Sequence, residues 1–147
     1  MIDHIHPLLG PRGLAGTAGF FEGLGFRPGR VVAATAAATE IVAGVLVALG
    51  LLGPIGPALF LSVMIVAAVT VHWQHGLFAQ TNGIEMPLLY GVTGVTLALT
   101  GHGAYSLDSA LGLSAMWSPA LTWTVLAIAA LGGVANLAVR RPTPVAA

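Results

Sequence analysis

The chain has no cysteine and no lysine, and its 147 residues include only five basic and five acidic side chains. Without cysteine there can be no disulfide, no thiolate nucleophile and no Cys-ligated metal or iron–sulfur site. Five arginines with no basic cluster leave nucleic-acid binding without support. A phosphate-cradling glycine loop, a nucleophile elbow and a Rossmann fingerprint are all missing. So is an apolar leader, because Asp3, His4, His6 and Pro7 interrupt Met1 to Gly10. A soluble domain is about 25% charged, whereas this chain is 7% charged and 56% hydrophobic, with a mean hydropathy of +0.92. Its solvent must be largely lipid.

The apolar residues fall in four runs: VVAATAAATEIVAGVLVALGLL (31–52), IGPALFLSVMIVAAVTVHW (55–73), MPLLYGVTGVTLALTG (86–101) and PALTWTVLAIAALGGVANLAV (119–139). A spanning helix needs about 20 predominantly apolar residues. Three runs meet this outright, and the third does so if its helix continues to about residue 103. None alternates apolar and polar residues as a transmembrane strand must. Helices satisfy their own backbone groups in lipid, so the expectation is an all-α integral membrane four-helix bundle forming one domain over 31–139. An N-terminal interfacial or loop segment (1–30) precedes it, and a tail (140–147) follows.

Short loops rich in Arg or Lys stay in the cytoplasm. Arg12, Arg27 and Arg30 precede the first run, Arg140 and Arg141 follow the last, and none lies between. Both termini are therefore expected on the cytoplasmic side, which requires an even number of crossings. Residues 1–30 carry Gly10, Gly13, Gly16, Gly19, Gly23, Gly25 and Gly29 and read as irregular chain. Their AGFFEGLGF stretch suits either the membrane interface or a loop cap over the bundle. Trp73, Trp117 and Trp123 lie near span ends and read as headgroup-level anchors.

Glu40 falls near the middle of the first run, where translocon scales put a charged residue such as Asp at about 2.5 to 3.5 kcal/mol. It must be neutral, paired or turned to a polar cavity. Ala33, Ala36, Ala37 and Gly44 share its helix face, a small-residue stripe that lets another helix approach, so the expectation is that Glu40 points into the bundle. It is either a neutral acid bonded to a nearby Thr or carbonyl, or a proton relay or ligand contact. Thr93 and Thr96, with Thr100, recur at helical spacing in the third run and offer it a polar partner surface, or merely back-bond to their own helix.

The strip HWQHGLFAQTNGIEMP (72–87) joins the second and third runs. On a continuous helix His72 and His75 are neighbours, and with Glu85 they would suit a divalent cation. Glu85 is ten residues away across a turn at Asn82–Gly83, so interfacial structure or a headgroup contact competes with a metal, and none is expected. His102, Tyr105 and Asp108 form a further polar set. Ser106 and Asp108 are good helix N-caps, so SLDSALGL is expected to start a short helix, with Asp108 structural.

Three phrases resemble the DoxX family of small bacterial and archaeal membrane proteins. TEIVAGVLVALGLL is similar to its acid-containing second helix, VTVHWQHGLFAQTNGIEMPLLY to its His-, Gly- and Glu-containing turn, and LALTGHGAYSLDSALG to its closing GxGxxSLD signature. Glu40, His72, Glu85, Gly101, Gly103, Ser106, Leu107 and Asp108 fall on family positions. The family's apolar first helix is missing here or truncated to IDHIHPLLG, which would place a true start upstream.

The resemblance implies a plasma-membrane protein linked to quinone chemistry, since named members belong to a terminal quinol oxidase and to thiosulfate:quinone oxidoreductase. On this reading the chain is a quinone-associated membrane subunit of a redox system, with Glu40 exchanging a proton and His72 and Glu85 holding the headgroup. The alternative is a non-catalytic scaffold that recruits a soluble oxidoreductase. Quinone is the cofactor expected. Haem is not, because facing intramembrane His pairs are lacking. Lipid, a soluble redox enzyme and further copies of the chain are the expected partners. Transport lacks the inverted repeats or paired broken helices it would need.

Overall fold

A computed structural model describes residues 13–141. Expectations for IDHIHPLLG and for the tail beyond Arg141 lie outside the described residues. The described chain is helical throughout, with no strand: α1 (Gly13–Gly23), α2 (Gly29–Leu49), α3 (Ile55–Ala67), α4 (Glu85–Thr100), the short α5 (Leu107–Ala110) and α6 (Pro119–Ala138). Helical turns continue α3 as far as His75. The described residues fall into two compact units, one formed by 13–38 and 138–141, the other by Thr39–Leu137.

In the first unit, α1 is a helix where the sequence reading expects irregular chain. The glycines at 13, 16, 19 and 23 are spaced three or four apart, so they line one face and leave Leu14, Ala18 and Phe21 to pack. Phe21 meets Phe20 and Phe26 edge-to-face, at ring separations of 5.8 and 5.9 Å. Phe26 and Ala18 are buried. Glu22 receives the backbone N–H of Gly29 at 3.2 Å, which satisfies one of the free donors at the start of α2. Arg140 donates through Nε to the carbonyl of Leu24, and the Arg141 N–H to that of Gly25.

The second unit is organised around α3. Gly94 of α4 lies so close that an added methyl would sit 3.0 Å from the Pro57 carbonyl, and Gly133 of α6 bears the same relation to that of Ser62. Gly56 of α3 in turn packs against Leu46 and the Ala43 carbonyl of α2. Small residues at helix crossings are the usual route to close packing in lipid, where no hydrophobic force drives helices together. Ala58, Ala98 and Leu126 form the core, with Leu61, Val95, Val125 and Ala129 packed against it. Large apolar side chains outside the core are exposed, among them Ile41 and Val45 on α2, Leu88 and Val92 on α4, and Ile128 and Leu131 on α6.

Among the described residues, three helical segments are long and apolar enough to cross a membrane: Gly29–Leu49, Ile55–His75 and Pro119–Ala138. The third apolar run falls short. The sequence reading extends its helix to about residue 103, but α4 has 16 residues and ends at Thr100, a length of about 24 Å against a hydrocarbon core of about 30 Å. Gly101 stops it by adopting φ 75°, which only glycine takes readily.

Candidate functional site

Between α3 and α4 the chain loses α-helical register before it turns. Residues Ala68–His72 form a π-helical turn and Trp73–His75 a 3₁₀ turn. The segment carries the β-branched run Val69, Thr70, Val71, and Thr70 Oγ1 donates back to the Val66 carbonyl at 2.8 Å, a bond that competes with helical pairing. The two histidines engage different carbonyls. His72 Nδ1 lies 2.8 Å from the Asn82 carbonyl, while His75 Nδ1 lies 2.9 Å from that of Val71. They are not the adjacent pair of a continuous helix, and with Glu85 they form no cluster fit for a metal ion.

Glu85 is committed to the same loop. Its Oε2 accepts the Ala79 N–H at 2.7 Å, and its own N–H donates to Leu77 at 2.9 Å. Asn82 makes the expected turn in the left-handed region, at φ 65°. His72 and Glu85 thus meet in one exposed loop, with side-chain atoms engaged on its backbone. Trp73, Leu77 and Phe78 are exposed beside them.

Glu40 stands apart from that loop. Gly56 packs beside Leu46, six residues beyond Glu40, and His72 is sixteen residues beyond Gly56. At 1.5 Å per residue this separates the two side chains by about 15 Å along the bundle. The setting of Glu40 also differs from expectation. Its stripe does run along the packed face of α2, with Ala33 and Ala43 buried, yet Glu40 itself is exposed. One turn on, a methyl at Gly44 would meet nothing within 4 Å. Among the described residues of the second unit, no helix fills the space beside Gly44. Thr93, Thr96 and Thr100 are exposed on α4, and the last two donate to the carbonyls of Val92 and Thr96.

The other end of the bundle is built differently. Ser106 caps α5, accepting the Ser109 N–H at 3.2 Å and donating to the Gly103 carbonyl at 2.7 Å. This fixes Asp108, which is 4% exposed. Its Oδ1 accepts the Leu52 N–H at 2.8 Å, and its Oδ2 accepts both the Gly53 N–H at 2.6 Å and Trp117 Nε1–H at 2.9 Å. The carboxylate thereby ties the α2–α3 turn to α5 and to the chain leading into α6. Leu52, at φ 60°, holds a conformation unfavourable to a side chain while donating to that carboxylate. Gly53 lies against the Trp117 indole, where an added methyl would come within 2.5 Å of the ring.

The sequence reading misses this clamp, and it reads Trp117 as a lipid anchor where the indole is engaged by Asp108. Trp73 and Trp123 are exposed. A signal was present: the LLGP turn has backbone donors and no side-chain acceptor of its own, and such donors must find a partner elsewhere. Beside the clamp, His102, Thr100, Ser106, Asp108 and Trp117 help to line a cavity of about 430 Å³. The Nε2 atom of His102 is buried without a hydrogen-bond partner.

Apolar helices of spanning length, glycine-mediated crossings and exposed aliphatic flanks define an all-helical, multi-pass membrane protein. The family model for DoxX matches residues 2–73, just under half of the chain, which supports membership of the DoxX family. The match starts within the stretch where the family's opening helix is expected to be missing or truncated. It takes in Glu40 and His72, while Glu85 and the Gly101–Asp108 motif lie beyond it. No curated protein and no solved structure matches the chain.

Proposed function

We propose that this chain is the membrane subunit of a quinone-linked redox system and that a quinone meets it at the mid-span gap beside Glu40. The single observation that carries this reading is the exposed Glu40 carboxyl one turn from the open space beside Gly44. An ionisable group at this depth is a functional candidate by default, and one that opens sideways is reachable by a molecule dissolved in the hydrocarbon. Reduction of a quinone to a quinol takes two electrons and two protons. The electrons belong to a redox partner of this chain, and Glu40 is the group that passes a proton to the ring oxygen.

The His72–Glu85 loop takes a different part from the one first assigned to it. Its polar atoms brace the turn, so it positions the helix ends and presents an exposed surface instead of holding the headgroup. A docking loop of this kind also suits the scaffold reading, in which a soluble oxidoreductase is recruited without chemistry in the membrane. The arginine distribution puts both termini and this loop in the cytoplasm, with α4 crossing despite its length.

Titration of the reconstituted protein with a short-chain menaquinone analogue separates the two readings. A saturable shift in the thermal melt that weakens at least fivefold in Glu40→Gln is expected. No shift, or an unchanged affinity in the variant, leaves the scaffold reading.

A further inference from the structure

The sequence holds no run of basic residues, yet the fold makes a cluster of them. All four arginines among the described residues, Arg27, Arg30, Arg140 and Arg141, belong to the unit formed by 13–38 and 138–141. They come from opposite ends of the chain and meet at the connection between α1 and α2. Nε of Arg140 donates to the Leu24 carbonyl, and the Arg141 N–H to that of Gly25. Arg27 follows Gly25 by two residues, and Arg30 lies in the first turn of α2. The connection is itself anchored: Phe26 is buried and meets Phe21 edge-to-face, and Glu22 holds the Gly29 N–H.

The unit does not neutralise this charge. Its one acid among the described residues is Glu22, and no arginine forms an ion pair there. The side chains of Arg27, Arg30 and Arg141 are exposed and make no hydrogen bond to the described residues. Arg140 uses one of the five N–H donors of its guanidinium and keeps its terminal nitrogens free. Planar guanidinium groups take phosphate oxygens two at a time. The setting selects which phosphate. Arg30 opens a helix of spanning length and Arg140 follows the end of another, so the cluster stands at the level of lipid headgroups. Phe20, Val31 and Val139 are exposed in the same unit. Acyl chains would cover such side chains, whereas a soluble polyanion would leave them in water.

We propose that this arginine cluster binds the phosphate headgroup of an anionic phospholipid. The site is separate from the Glu40 gap and does not depend on what binds there.

The test is lipid retention by the purified full chain in native mass spectrometry, after exchange into dioleoyl phosphatidylglycerol or phosphatidylcholine. Phosphatidylglycerol, with a net negative charge, should be retained at least fivefold more than the zwitterionic phosphatidylcholine. Arg27→Gln and Arg30→Gln each change an exposed side chain without a bond in the fold. Each should reduce that preference at least twofold, and the double variant should abolish it, with the thermal melt unchanged. Adding Glu85→Gln to Arg27→Gln restores the net charge elsewhere on the chain and should not restore retention. If it does, overall charge and not this cluster holds the lipid, and the proposal fails. Equal retention of the two lipids overturns it, as does a preference unchanged in the double variant. If phosphatidylglycerol is not retained while a polyglutamate peptide binds through Arg27 and Arg30, the face takes an acidic protein and the lipid assignment falls.

Discussion

Two carboxylates in this chain receive opposite treatment. Asp108 is buried at one end of the bundle, and three N–H groups from two separate stretches of chain converge on it. Glu40 lies at mid-span, where it is exposed and the glycine one turn on faces open space. A buried carboxylate that accepts three N–H groups holds structure together. An exposed one in the hydrocarbon gains nothing from the fold and has to be explained by something the fold meets. The contrast divides the polar residues of the chain into those that build it and those left for function.

Substitutions should grade accordingly when unfolding is followed in a single detergent. Asp108→Ala is expected to have the largest effect, about 3 kcal/mol or more, because three donors lose their acceptor and two of them are backbone groups in a strained turn. Trp117→Phe keeps the ring against Gly53 and removes only one charge-assisted bond, so a loss of about 2 kcal/mol is expected. Glu85→Gln weakens one exposed bond to the Ala79 N–H and should be below about 1 kcal/mol. Glu40→Gln should change stability by no more than about 0.5 kcal/mol, as surface substitutions usually do. A Glu40 variant as damaging as the Asp108 one would erase the distinction between the two carboxylates. A Glu85 variant that unfolds the protein would move the structural centre to the opposite end.

Much of the fold is legible in the sequence because it rests on composition and length. Four apolar runs, a near absence of charge and short connections specify an all-helical membrane protein. What is not legible is set by single residues in three dimensions. The extent of the third helix depends on Gly101, whose positive φ ends α4 where hydropathy alone would continue it. The glycines of 13–23 look like breakers until their spacing puts them on one face of a helix.

At the candidate site, the stripe around Glu40 is visible as a pattern of small residues. Whether another helix covers it is a matter of packing that no local pattern encodes. The loss of α-helical register before the loop, a π-helical turn followed by a 3₁₀ turn, is likewise not marked in the strip's residues. The Asp108 clamp joins residues 56 positions apart, and the spacing of the SLD motif does not say what its acid will hold.

The most direct measurement is the position of a quinone on the protein. A short-chain menaquinone analogue carrying a photoreactive group on its tail would be irradiated with the reconstituted chain and the adducts mapped by peptide mass. Adducts confined to α2 between about residues 37 and 48, reduced by competing unlabelled analogue, are the expected result. Adducts concentrated on residues 72–85, or scattered over every lipid-facing helix, would contradict a quinone site at Glu40.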